Sequence, residues 1–193
     1  MKKDSFPRFK NLIKNSKNLI IVTHWNPDGD AVGSSLALWH FLTQIGKKVT
    51  VIIPNSTPEF LNWMPGSKKM VNFEQNTLKA AKLIDSADLI FTLDFNNFKR
   101  LEKLGLLLEK SKSTKVLIDH HQQPDSYASY SFYDVAACST CELIYDFIIG
   151  LGGKKLIDKK IAACLYTGLM TDTGSFKYPS VNTRTHFIIS EIL

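Results

Sequence analysis

Three apolar runs in this chain each close on a carboxylate or imidazole cluster, and no other feature constrains the fold as tightly. Leu19 to Thr23 leads into His24-Trp25-Asn26-Pro27-Asp28-Gly29-Asp30. Leu89 to Leu93 leads into Asp94, and Lys115 to Ile118 leads into Asp119-His120-His121. Short apolar runs separated by longer amphipathic stretches read as buried strands in βαβ units. Open α/β sheets bind their ligands outside the carboxyl ends of such strands. A carboxylate is expensive to desolvate there unless it is paired or bound to a cation. The expected architecture is therefore a Rossmann-like α/β fold: a mostly parallel sheet, helices on both faces, and a metal site at the carboxyl edge of the strands.

With 193 residues and 44% hydrophobic content, the chain can bury a core of ordinary domain size. The net charge of +6 suits an anionic partner such as a nucleotide or RNA. The lysines are scattered in short pairs, however, which equally describes solvated helix surfaces. Three cysteines (Cys138, Cys141, Cys164) without a secretion signal fit free thiols and a cytoplasmic location. No apolar run approaches the roughly 20 residues of a membrane helix.

Strands are expected at 18–23, 48–53, 89–93 and 116–118, with a weak one at 70–73 and an edge strand at 129–134. Helices are expected at 31–45, 77–86, 98–110, 139–149 and 157–169, then from about 182. Leu38, Phe41, Leu42 and Ile45 recur at helical spacing. Asp30 is the expected cap of that helix and Gly46 its stop. The last helical pattern runs to Leu193 with no stop signal, which suggests a natural continuation.

His24, Asp28 and Asp30 share one loop, where Asp28 and Asp30 can face one ion or two different ones. Mixed imidazole and carboxylate donors suit Mn²⁺, Fe²⁺, Co²⁺ or Zn²⁺ better than a purely hard site. Asp94, at a buried strand end, is placed to bridge two cations. In Asp119-His120-His121 the side chains alternate, so one His can ligate while the next faces substrate. Asp119 can orient a ligating His from behind. Asp172 closes the Gly-Leu-Met-Thr-Asp stretch before a small-residue turn. Four Asp and two His can build adjacent cation sites, which clamp a phosphoryl group and acidify an attacking water. His121, Arg100 and Arg184 are candidate donors to the phosphoryl oxygens. Cys138-Ser-Thr-Cys141 has C-x-x-C spacing without a second half-site and reads as structural. Trp25 reads as a packed loop residue, with stacking on a base as the alternative; Phe176 and Tyr178 are further candidate nucleotide contacts.

These motifs resemble those of the DHH-type phosphoesterases, the superfamily of RecJ-like exonucleases, nano-RNase/pAp phosphatases and family II inorganic pyrophosphatases. The resemblance rests on Thr23-His-Trp-Asn-Pro-Asp-Gly-Asp-Ala-Val-Gly-Ser34, Leu93-Asp94, Asp119-His-His121, Cys138-Ser-Thr-Cys-Glu142 and Gly168-Leu-Met-Thr-Asp-Thr-Gly-Ser-Phe176, in family order. It is strongest to the nano-RNase/pAp phosphatase branch. It implies two Mn²⁺ ions, the first on His24, Asp28 and Asp94, the second on Asp30, Asp94, His120 and Asp172. It further implies that the catalytic His121 contacts the scissile phosphate and that Asp119 supports His120. Arg100, Ser139, Thr140 and Arg184 are the expected substrate contacts.

The resemblance also implies that residues 1–193 form a DHH catalytic domain, an N-terminal piece without the family's C-terminal substrate-binding domain and its Gly-Gly-Gly-His motif. Here Gly152-Gly153 is followed by Lys154. The expected activity is Mn²⁺-dependent hydrolysis of short oligoribonucleotides or 3′-phosphoadenosine 5′-phosphate. A cyclic dinucleotide is a further substrate class. The rivals are an inorganic pyrophosphatase or polyphosphatase and a non-catalytic nucleotide-binding module. A homodimer is the commonest assembly on general grounds.

Overall fold

The computed structural model describes residues 5–193. Six parallel strands, β1 (Asn18–Val22), β2 (Lys48–Ile53), β3 (Val71–Asn72), β4 (Leu89–Leu93), β5 (Thr114–Asp119) and β6 (Tyr130–Tyr133), form one sheet in the order β3-β2-β1-β4-β5-β6. The order reverses between β1 and β4. A doubly wound sheet opens its crevice at that point, because the connections leave the two strands in opposite directions.

Side-chain parity along the strands decides which helix covers which face. Leu19 and Ile21 of β1, Leu89, Phe91 and Leu93 of β4, and Val116 and Ile118 of β5 share one core. The helices α1 (Ser5–Asn15), α2 (Gly29–Gln44), α5 (Thr140–Gly150), α6 (Lys159–Asp172) and α7 (Thr183–Ile192) contribute to that core. The alternate residues Ile20, Val22 and Ile90 face α3 (Thr77–Asp85) and α4 (Lys103–Lys110). Strands buried on both faces explain the continuous apolar runs of the sequence.

Three details depart from the sequence reading. Helix α1 was not expected, since Pro7 and the lysines mask its apolar stripe. Proline is tolerated in a first helical turn, and Phe9 and Ile13 reach the core at 2% and 4% exposure. The expected helix 98–110 is broken into a 3₁₀ turn, Phe98–Leu101, and α4, with Glu102 at φ 52° between them. The third concerns Asp30, which does not cap α2. Asp28 does so, accepting the backbone N–H of Asp30 and Ala31 at 3.0 Å each. The expected stop holds: α2 ends at Gln44, and Gly46 follows at φ 80°.

Glycines line the contact between helices α2 and α6 and leave no room there for a side chain. A Cβ at Gly33 would sit 2.5 Å from the Cys164 carbonyl oxygen, and one at Gly168 would sit 2.7 Å from Asp30 Oδ1. This approach brings the start of α2, with Asp30, beside the end of α6, with Asp172.

Candidate metal centre

Asp94 stands at the middle of the site. It follows β4 directly, is 2% exposed, and adopts φ 64°. A left-handed non-glycine residue is uncommon and costs about 1–3 kcal/mol where the surroundings enforce it. Its backbone N–H donates to the Ile118 carbonyl at 3.2 Å, fixing it between β4 and β5. The carboxylate then presents its two oxygens to different partners. Oδ2 lies 3.4 Å from His24 Nε2, and Oδ1 lies 3.6 Å from His120 Nε2 and 3.7 Å from His121 Nδ1.

Two of these three imidazoles, His24 and His120, are oriented from behind by backbone. His24 Nδ1 is 2.7 Å from the Trp25 carbonyl oxygen, and His120 Nδ1 is 3.3 Å from that of Ala137. A proton on each Nδ1 satisfies those carbonyls and leaves each Nε2 lone pair facing the carboxylates, the tautomer a metal ligand needs. His24 Nε2 is also 3.9 Å from Asp28 Oδ2, and His120 Nε2 is 3.5 Å from Asp172 Oδ2.

Three overlapping groups result: His24, Asp28 and Asp94; Asp94, His120 and His121; and Asp30, His120 and Asp172. Within each, one ligand atom per residue lies within 4.8 Å of the others. All six residues expected as metal ligands are thus gathered, with Asp94 and His120 shared between groups. Their electrostatics also fit a cation. Burial and the nearby charges of Asp94 and Asp172 push the Asp30 carboxyl well above its ordinary range. Burial, with repulsion from Asp94 and Asp28, raises Asp172 to about 6. Burial lowers the pKa of His24, but the hydrogen bond and charge of Asp94 outweigh it and raise the ring overall. Carboxylates crowded this closely repel one another until a divalent charge is placed between them, and the N/O donor set suits a first-row transition ion.

Asp30 is held by an element that the sequence reading treated as substrate-binding. Ser139 caps α5, its hydroxyl accepting from the Glu142 N–H at 3.1 Å, while Glu142 Oε2 accepts from the Cys138 N–H at 3.1 Å. The capped helix directs its first free N–H groups at Asp30: Thr140 N–H to Oδ2 at 2.6 Å and Cys141 N–H to Oδ1 at 2.8 Å. A carboxylate at a helix N-terminus is stabilised by about 0.3–1 kcal/mol, and by up to about 2 when partly buried. Ser139 and Thr140 are both fully buried, so neither is presented to a substrate; the structure corrects that expectation.

His121 is oriented differently. Its Nδ1 bonds Asp119 Oδ1 at 2.8 Å, and this bond raises the pKa of the ring. Asp119 therefore backs His121, not His120 as the resemblance implied; the Ala137 carbonyl takes that place. Asp119 is fully buried, and among the described residues its Oδ2 has no partner. Arg100 lies close enough for its charge to oppose protonation of His121. Arg184 is engaged elsewhere, paired with Asp146 and stacked over Tyr145 and Phe187, with ring distances of 5.6 and 5.4 Å. It ties α7 to α5, so the guanidinium expected as a substrate contact is paired within the protein in this structure.

The three thiols are buried, and burial pushes Cys138 and Cys164 up to about 12. They are protonated packing residues, in line with the structural reading of the C-x-x-C spacing. Trp25 lines a cleft of 370 Å³ with Phe73, Glu74, Leu101 and Glu102. Phe176 packs on Tyr166 at 5.8 Å, whereas Tyr178 is exposed. No helix among the described residues is long and apolar enough to cross a membrane.

A parallel sheet of this strand order, carrying clustered Asp and His at its reversal point, defines an α/β domain built around a candidate cation site. The chain belongs to the DHH family, whose N-terminal domain matches residues 18–169. It is 30% identical over 181 residues to a Streptococcus mutans protein described as "Probable bifunctional oligoribonuclease and PAP phosphatase NrnA", covering 94% of this chain and 54% of that one. It superposes with a TM-score of 0.97 and 41% identity on the crystal structure of an exopolyphosphatase-related protein from Bacteroides fragilis, covering 99% of this chain and 56% of that one. The fold alone is shared with exonuclease RecJ bound to manganese, at 15% identity and a TM-score of 0.60, over 98% of this chain and 46% of that one. The chain spans about half the length of the curated relatives it matches.

Proposed function

We propose that this chain carries the catalytic centre of a Mn²⁺-dependent phosphohydrolase that cleaves short oligoribonucleotides or 3′-phosphoadenosine 5′-phosphate. The observation that carries this reading is the division of Asp94, whose two oxygens serve separate Asp/His groups. His24, Asp28 and Asp94 would hold one ion, and Asp30, Asp94, His120 and Asp172 the other. When bound, the ions supply Lewis acidity that neutralises phosphoryl oxygens and acidifies the attacking water.

The remaining chemistry belongs to the side chains. Asp119 accepts the His121 Nδ1 proton and favours the imidazolium. His121, one-third exposed, can then donate through Nε2 to a phosphoryl or leaving-group oxygen. Arg100 adds positive charge on the same side. The substrate class follows the NrnA-type relative and the net positive charge. A second reading, hydrolysis of pyrophosphate or polyphosphate, is favoured by the likeness to the exopolyphosphatase-related protein.

The test is product analysis with Mn²⁺ on a 5′-labelled short RNA, 3′-phosphoadenosine 5′-phosphate, a cyclic dinucleotide and pyrophosphate, using Asp94→Asn as control. Turnover of the RNA or the bisphosphate, lost in the variant, is the expected result. Turnover of pyrophosphate alone moves the protein to the second reading. Full turnover by Asp94→Asn overturns the metal mechanism.

A further inference from the structure

We propose that Thr140 is a positioning residue that sets the metal-binding geometry of Asp94 and Asp30 together, an inference that rests on the metal centre proposed above. Its hydroxyl donates to Asp94 Oδ1 at 2.9 Å, and its backbone N–H donates to Asp30 Oδ2 at 2.6 Å. One residue thus restrains two carboxylates that come from different elements, the end of β4 and the first turn of α2. No other described residue donates hydrogen bonds to both of them.

The arrangement follows from the local sequence. Ser139 and Glu142 fix where α5 begins, which makes Thr140 the first helical residue. Its N–H has no partner within the helix, so it is available to Asp30. Its side chain leaves the same turn toward Asp94. Thr140, Asp30 and Asp94 are 0%, 1% and 2% exposed, so bulk water has little access to replace a deleted hydroxyl.

The consequence concerns Asp94. Its oxygens must face two groups at once, and rotation about its last bond would exchange or misalign them. The hydroxyl pins Oδ1, the oxygen nearest His120 and His121, and so leaves Oδ2 toward His24. Hydrogen bonds behind ligating carboxylates orient them and tune the ion, and removing such a support lowers metal affinity or activity by about 10–100-fold.

The experiment compares wild type, Thr140→Val, Thr140→Ser and Thr140→Ala by calorimetric Mn²⁺ titration and by electron paramagnetic resonance of the bound ion. The melting temperature of each metal-free protein is measured alongside. Val preserves volume and removes the donor, while Ser keeps it. Thr140→Val is expected to bind Mn²⁺ at least about tenfold more weakly with an altered resonance spectrum, and Thr140→Ser to return within about threefold of wild type. Thr140→Ala, which removes donor and volume without adding bulk, is expected to show the same weakening and stands in for Thr140→Val should that variant fold poorly.

Wild-type affinity and spectrum in folded Thr140→Val or Thr140→Ala would overturn the positioning role and leave the metal centre standing. Equal weakening in Thr140→Ser and Thr140→Val would also overturn it, since packing would then explain the loss. Absence of Mn²⁺ binding by wild type would overturn the metal reading and this inference together.

Discussion

Gly168→Ala tests whether the α2–α6 contact sets the site. A methyl at Gly168 would lie 2.2 Å from Cys141 Sγ, 2.7 Å from Asp30 Oδ1 and 3.0 Å from Cys141 Cβ. The sulfur cannot simply swing aside, because Cys141 is fully buried at the second position of α5. Forcing volume into a packed contact costs about 1–3 kcal/mol. Displacing Asp30 also weakens its 2.8 Å bond from the Cys141 N–H, and hydrogen bonds to charged groups contribute about 1.5–3 kcal/mol. The better helix propensity of alanine offsets about 1 kcal/mol. The expected net loss is about 3 kcal/mol, which for a domain of this size lowers the melting temperature by about 6–12 °C. Thermal unfolding of the metal-free protein reads the stability, and Mn²⁺ titration reads the site, where weaker binding is expected as well. A Gly168→Ala protein that melts at or above the wild-type temperature and binds Mn²⁺ unchanged would refute the idea that this contact is rigid and holds Asp30.

The remaining predictions concern charge and roles. Asp94→Asn should weaken Mn²⁺ binding by more than about 100-fold, a larger loss than supporting residues show, as read by calorimetry. His121→Gln should keep Mn²⁺ while turnover falls by about 10²–10⁴-fold, the usual worth of a positioned acid or base; simultaneous loss of the ion would assign His121 to the ligand set instead. Asp172 titrates at about 6 in the folded metal-free protein against an ordinary 3.8. A carboxyl raised in this way contributes stability that is present below 3.8 and lost as the pH rises through about 6. Metal-free wild type should therefore lose stability relative to Asp172→Asn between those values, while Mn²⁺ affinity rises with pH because the ion needs the carboxylate. Arg184→Ala should lower stability by about 1–3 kcal/mol, because it strips a part-buried Asp146 of its charged partner, and leave Mn²⁺ titrations unaltered.

Strand and helix order could be read from the sequence wherever one period dominated. The runs at 19–23 and 89–93 had no polar residue long enough to reach solvent, so their burial on both sides followed directly. The reading failed where local and tertiary signals disagreed. Pro7 and the flanking lysines hid α1, whose Phe9 matters only because β6 and α5 offer Phe132 and Phe147 at 6.2 and 5.1 Å between ring centroids. The leucine-rich pattern over 98–110 concealed a break at Glu102, because Gly105 packs against the Phe98 carbonyl and the periodicity does not register that contact; a Cβ there would lie 2.2 Å from the oxygen.

The same division runs through the site. By itself, the sequence determined which residue types gather at the carboxyl edge, since buried carboxylates and imidazoles after apolar strands need a shared cation or partner. It also placed a helix start at Ser139. Only the tertiary structure decided which group stands behind which. Asp119 turned to His121 and a backbone carbonyl took His120; Arg184 closed on Asp146. Thr140 faced inward to two carboxylates. Those pairings depend on distances of about 3 Å between segments up to 110 positions apart in the chain. Hydrogen bonds act only over that short reach, so they are fixed by how the elements pack, which residue order alone does not specify.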